Sequence, residues 1–198
     1  MTSTADSGGW FPNMSSNAEK ILGEIDRRLD AAVDLTLYGR AALHLGFPNP
    51  PIEFALSTDV DAILAIGQAQ ALAGTSNFWD AVQQTNTLLA PDGLYASHFF
   101  EERQVLLRSC WKETRVRIPG PWKKLQLWRL HNLDLLLSKL MRDDPQDLRD
   151  AEFIVRAGNL TEVETAEAVR QARVPEIPEI RDQFQICRQK LWRQLNWN

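Results

Sequence analysis

The chain has 198 residues, 44% hydrophobic and 24% charged, the proportions of an ordinary globular protein and far from those of a disordered or collagen-like one. That length supports one sizeable core, or two small lobes sharing an interface, and excludes several independent domains. A net charge of −4 and a pI of about 5.4 exclude a general attraction for nucleic acid by the molecule as a whole.

The opening segment, MTSTADSGGWFPNMSSN, is polar and has neither the basic nor the apolar region of a leader. No later run reaches the roughly twenty apolar residues that span a bilayer. A loose N-terminus over 1–15, a cytoplasmic location and no membrane partner are expected. Cys110 and Cys187 stand alone, without a CxxC motif, so two buried free thiols are expected.

SNAEKILGEIDRRLDAAV begins a helix. Ser16 and Glu19 form a capping box, and Ile21, Leu22, Ile25 and Leu29 share one face. DLTLY alternates as a short strand, with Leu35 and Leu37 on one side, and stops at Gly39, where a turn needs positive φ. RAALHL is a short helix closed by Gly46 and Pro48, Pro50 and Pro51. STDVDAIL is the next strand, and its alternation puts Asp59 and Asp61 on one face with Val60 on the other. SNFWDAVQQTNTLL is a helix capped near Asn77, with Phe78, Val82, Leu88 and Leu89 as its apolar contacts and Pro91 and Gly93 as its end.

LYASHFF, RQVLLRS and TRVRIP carry β-formers between turns and should complete a small mixed sheet ending near Trp128. From Leu133 the period becomes helical, and the remainder is expected to be all helix. Asp144, Pro145 and Gly158 bound one helix, and Thr161 with Glu164 caps the next. A last helix follows Pro175 and Pro178. The expected fold class is α/β (α+β): a mixed-sheet core over 16–130, then a helical C-terminal region over 131–198 packed on it.

Asp59 and Asp61 offer two hard oxygen ligands side by side, the arrangement a magnesium ion takes together with phosphate oxygens and waters. A lone D-x-D also occurs as solvated acids at a strand end. Here a strand, a glycine turn and a short helix precede it, and a turn of that kind presents backbone N–H groups to a phosphate.

With these elements in this order, the chain resembles the minimal nucleotidyltransferases of the DNA polymerase β-like superfamily, particularly the bacterial AbiEii-like proteins, over roughly Leu35 to Leu160. In that family a Gly-Gly or Gly-Ser turn and a helix precede a T-x-D-x-D-like strand, and a later helix pair carries K-L followed by R-D-x-x-D. The matching positions here are Gly39 and Arg40, then Asp59 and Asp61, then Lys139, Asp147 and Asp150.

The resemblance implies a Mg2+- or Mn2+-dependent transfer of a nucleotide from a nucleoside triphosphate to an acceptor, whether RNA, protein or small molecule. Asp59 and Asp61 would hold the metal, and Gly39, Arg40 and Lys139 the triphosphate. Glu102 would be the third carboxylate, with Glu101 as its rival. The family also implies a bacterial toxin or phage-defence role beside a cognate antitoxin.

The chain departs from the family at Arg40, where a small residue is usual; its fork would either pair with phosphate or block the site. A nucleotidyltransferase fold without turnover, binding a nucleotide or a partner, is the competing class.

Simpler roles are open to several of these residues. Lys139 can pair on the surface with Asp143 at i+4, and Asp147 and Asp150 suit the start of any helix. His44, His98 and His131 lack zinc-ligand spacing and receive no role. Trp111, Trp122 and Trp128, interleaved with Lys112, Lys123, Lys124 and Arg129, read as core aromatics with solvated neighbours or as a nucleic-acid platform. No G-x-S-x-G, Walker A or G-x-G-x-x-G motif is present.

Overall fold

A computed structural model describes residues 16–197, so the expectation of a loose segment over 1–15 falls outside the described residues. The elements in chain order are α1 (Asn17–Arg28), β1 (Val33–Tyr38), α2 (Gly39–Gly46), α3 (Ile52–Ala55), β2 (Asp59–Leu64), α4 (Gln68–Thr75), α5 (Phe78–Leu89), β3 (Tyr95–Glu101), β4 (Leu107–Arg108), β5 (Val116–Arg117), β6 (Leu125–Arg129), α6 (Asn132–Lys139), α7 (Pro145–Ala157), α8 (Glu162–Gln171), β7 (Ala172–Arg173) and α9 (Pro178–Leu195). Among the described residues, no helix is long and apolar enough to cross a membrane.

The fold is α+β. Five strands form a mixed sheet in the order β3-β2-β1-β6-β5. β1 runs antiparallel to β2 and parallel to β6, and β2 runs parallel to β3. Val33, Leu35 and Leu37 of β1 are buried, and so are Ile21, Leu22 and Ile25 on the inner stripe of α1. Each such side chain contributes about 2 kcal/mol of transfer free energy relative to exposure.

Local signals set the ends of several elements. The Ser16–Glu19 box opens α1, and the Thr161–Glu164 box opens α8. Asp144 accepts from the Gln146 and Asp147 amides to start α7, with Pro145 in its first turn.

Four expectations change. RQVLLRS yields only the two-residue β4, which leaves the main sheet to pair with β7; the C-terminal part is therefore not all helix. Leu88 points outward at 51% exposure, while Ala81 and Thr85 complete the inner face of α5. Asn77 stands before α5 without capping it, because its side chain bridges to Asp30 and to the Arg28 carbonyl. Cys187 is buried, but Cys110 is only partly so. The short helices α3 and α4 lacked an apolar period long enough to announce them.

Helices α6 and α7 pack on each other, and α6 touches both α2 and β4. Three polar ties join these helices to what precedes them. Arg40 bonds Asp150, Arg108 bonds the fully buried Asp134 through backbone and side chain, and Arg129 bonds Asn132. They bring the start of α2, the start of β2 and the end of α6 around one concavity.

Candidate metal and phosphate site

β1 delivers the chain to Gly39, whose φ of +69° lies in the left-handed region open to glycine. A Cβ there would stand 3.1 Å from Asp61 Oδ2, so a larger residue would be strained by its backbone conformation and would press on that carboxylate. The antiparallel register sets Tyr38 opposite Asp61, which carries that carboxylate to the glycine turn. Helix α2 opens at this turn with no side-chain cap and no acid in its first turn. Its first amides, like those of any helix start, lack intrahelical partners, and Gly39 places this positive helix end beside Asp61.

Asp59 and Asp61 lie on the same face of β2, both partly buried, while Val60 is in the core. Ser57 donates to Asp59 Oδ1 at 2.9 Å. On β3 the pairing slips. Val60 faces Ala96 and Ala62 faces Phe99, so two residues, Ser97 and His98, stand opposite Asp61 alone. This is a β-bulge, a device that re-aims a side chain. Both residues reach Asp61 Oδ1, Ser97 Oγ at 3.3 Å and His98 Nδ1 at 3.0 Å. The His98 ring stacks on Phe100, centroids 5.4 Å apart and planes within 3°. Oxygens of Asp59 and Asp61 and a ring nitrogen of His98 lie within 4.8 Å of one another, a group that could hold a metal ion.

Burial, and after it the charge of Asp59, push the Asp61 carboxyl above its usual range, against the pull of His98 and Ser97. Burial, joined by the Asp61 charge, also pushes the Tyr38 hydroxyl up, which keeps it protonated. The pocket is thus short of positive charge on its β2 side, and a cation there would reverse the balance at Asp61.

The opposite wall carries paired charges, Lys139 and Arg142 with Asp147 between them. A pocket of about 250 Å³ is lined by Gly39, Asp59, Asp61 and His98 on one side and by Lys139 and Arg142 on the other. Lys139 Nζ lies 2.9 Å from Asp147 Oδ1 and 2.8 Å from Asp150 Oδ2, while Arg142 bonds the other Asp147 oxygen. Burial pushes the Asp147 carboxyl up, but the Arg142 hydrogen bond and the Lys139 charge outweigh it and hold the group below the usual carboxylate range.

Gly39, Asp59, Asp61 and Lys139 are therefore brought together. Lys139 is paired with Asp147 and Asp150, not with Asp143, which bonds Lys190. Two expected members are elsewhere. Arg40 turns from the pocket, forking onto Asp150 through Nε at 3.2 Å and a terminal nitrogen at 2.9 Å, with Phe54 under its guanidinium. Glu102 follows the end of β3, where it accepts from Trp111 Nε1 at 2.9 Å and lies near Arg173. Its rival Glu101 is engaged by the Gln104 amide turn and by Arg103.

His98 is the residue that spacing did not reveal, because its partners come from another strand and its direction from a bulge. An H-x-F alternation beside a D-x-D strand was the one available signal. Among the tryptophans, Trp111 is buried, and Trp128 carries the Arg115 and Arg117 guanidinium groups at 4.8 and 5.1 Å from its ring.

No protein-family model matches the chain, and no curated protein and no solved structure matches it.

Proposed function

We propose that the protein is a metal-dependent nucleotidyltransferase. The observation that carries this reading is the convergence on one pocket of the Asp59–Asp61 pair, the uncapped start of α2 at Gly39, and Lys139 with Arg142. A triphosphate needs a cation between its oxygens and a carboxylate pair, backbone donors for phosphate, and fixed positive charge for the leaving group. The pocket carries residues suited to each.

In the proposed reaction an acceptor hydroxyl oxygen forms a bond to the α-phosphorus of a nucleoside triphosphate, and the bond from that phosphorus to the bridging oxygen breaks. Pyrophosphate leaves with the electron pair, and the hydroxyl proton passes to solvent or to a nearby base. Asp59 and Asp61 would hold a divalent ion, which when bound would supply Lewis-acid stabilisation of the phosphoryl oxygens. The α2 amides bind the phosphates, and Gly39 allows the backbone to approach them. Lys139 and Arg142 receive the charge that develops on pyrophosphate. Asp147 and Asp150 hold Lys139 in place. RNA, protein and small molecules all remain as acceptor classes. A cytoplasmic location and a toxin–antitoxin pairing go with this reading as proposals.

Isothermal titration with each nucleoside triphosphate and Mg2+ or Mn2+ should give saturable binding that the double variant Asp59→Ala/Asp61→Ala abolishes. Unchanged binding in that variant overturns the assignment. A second reading, a fold that binds nucleotide or a partner without turnover, is favoured by one observation: neither Glu101 nor Glu102 reaches the acid pair. Incubation with labelled nucleotide and pools of RNA, protein and small hydroxyl compounds separates them. Label transfer supports the enzyme, and nucleotide binding without transfer to any pool supports the binder.

A further inference from the structure

We propose that His98 is the third protein ligand of the cation site and that its nitrogen makes the site select a first-row transition dication such as Mn2+ over Mg2+. This deepens the nucleotidyltransferase reading and rests on it for the use to which the metal is put, but not for the ligand set.

The ligand set follows from the β2–β3 register. Were β3 regular, Ser97 alone would stand opposite Asp61 and His98 would pair with Ala62, facing the core. The extra residue between Ala96 and Phe99 turns His98 onto the Asp59–Asp61 face instead. Phe100, two residues on and on the same face, stacks flat on the imidazole and restrains its plane. Ser97 Oγ lies 2.9 Å from His98 Nδ1, the nitrogen that also faces Asp61, so a cation bound there would take the place of this contact. Among the described residues, Asp59, Asp61 and His98 form the one group of three metal-ligating side chains whose donor atoms converge.

Donors bound to one ion at 2.0–2.2 Å stand roughly 3–4 Å apart. The observed spread of up to 4.8 Å is close enough for rotamer adjustment to gather them. His98 Nδ1 and Asp61 Oδ1 lie 3.0 Å apart, a direct contact that a cation held between them would replace.

The choice of ion follows from the donor atoms. Mg2+ takes oxygen ligands and gains little from imidazole, whereas first-row transition dications bind an imidazole nitrogen readily beside carboxylates. With the two glutamates engaged elsewhere, this pocket offers a nitrogen where a third oxygen would favour Mg2+.

The experiment uses the full chain and Mn2+ alone, with free ion followed by electron paramagnetic resonance, Mg2+ as competitor, and pulsed measurement of nitrogen coupling to bound Mn2+. His98 is 56% exposed at its side chain, so His98→Ala should fold, as circular dichroism will verify. The expected result is Mn2+ binding about tenfold or more tighter than Mg2+, with 14N modulation on the bound ion. His98→Ala should lose the modulation and most of the preference, and His98→Asp should bring the two affinities together by strengthening Mg2+.

Bound Mn2+ without 14N modulation in the unaltered chain overturns the proposal, as does modulation that persists in His98→Ala. If His98→Ala keeps its Mn2+ affinity while Asp59→Asn/Asp61→Asn loses it, His98 is not a ligand and the acid pair stands. If the unaltered chain binds no Mn2+ at millimolar concentration, the inference fails. Label transfer from nucleotide then decides separately whether the proposed activity fails with it.

Discussion

Asp26, on the inner side of α1, accepts hydrogen bonds from the backbone amides of Lys123, Lys124 and Leu125, at distances down to 2.7 Å. These donors precede and open β6, so one carboxylate ties the first helix to a central strand. Burial pushes this carboxyl up, but the three amide hydrogen bonds outweigh it and leave it below the usual range. With a folded-state pKa under the unfolded value of about 3.9, the group contributes stability that is fully present above that value and lost as pH falls through the folded one. Asp26→Ala should cost about 2–4 kcal/mol at pH 7, since it leaves amides without acceptors. Urea denaturation should show the gap between variant and parent shrinking below about pH 4. A gap that stays constant down to pH 2 would mean that the charge is irrelevant.

At the scale of elements, α2, α6 and α7 are locked by a chain of charges: Arg40, Asp150, Lys139, Asp147, Arg142. Asp150 is 1% exposed and takes both the Arg40 fork and the Lys139 ammonium. Removing one partner of a buried pair costs roughly 3–5 kcal/mol, and the remaining Lys139 reduces that here to about 2–3 kcal/mol. Arg40→Met is therefore expected to destabilise the fold by that amount in urea titrations. Nucleotide affinity by calorimetry should stay within about threefold, because the fork points away from the pocket. A variant of full stability that has lost nucleotide binding would return Arg40 to the phosphates. The charge of Arg40 was plain from its place after Gly39, but its partner was not, since Asp150 lies in a helix far along the chain. The D-x-D face was legible because strand alternation is local; the bulge opposite it was not, because the residues of β3 alternate acceptably in either register.

For the molecule as a whole, the two parts of the chain share polar and strand contacts. β4 pairs with β7, and Arg108 is satisfied by Asp134, which is 0% exposed. A chain ending at residue 130 would leave β4 without its neighbour and leave Arg40 and Arg108 without their carboxylates. It is expected to lack near-ultraviolet circular dichroism and a cooperative urea transition, whereas the full chain should unfold with coincident far-ultraviolet and tryptophan-fluorescence midpoints. A truncated chain with a sharp transition would show that the part before residue 130 stands alone.

What the amino-acid order determined by itself is whatever depends on near neighbours: the Ser16 and Thr161 capping boxes, the Gly39 turn, the Pro145 start of α7, and the shared face of Asp59 and Asp61. Each rests on a steric or hydrogen-bonding rule that acts within about four residues. Only the tertiary structure decided that His98 joins the acid pair, that Glu102 serves Trp111, that Arg40 serves Asp150, and that β4 leaves the main sheet for β7. Those pairings cross many residues of chain, and buried polar groups take the partner that packing brings within reach.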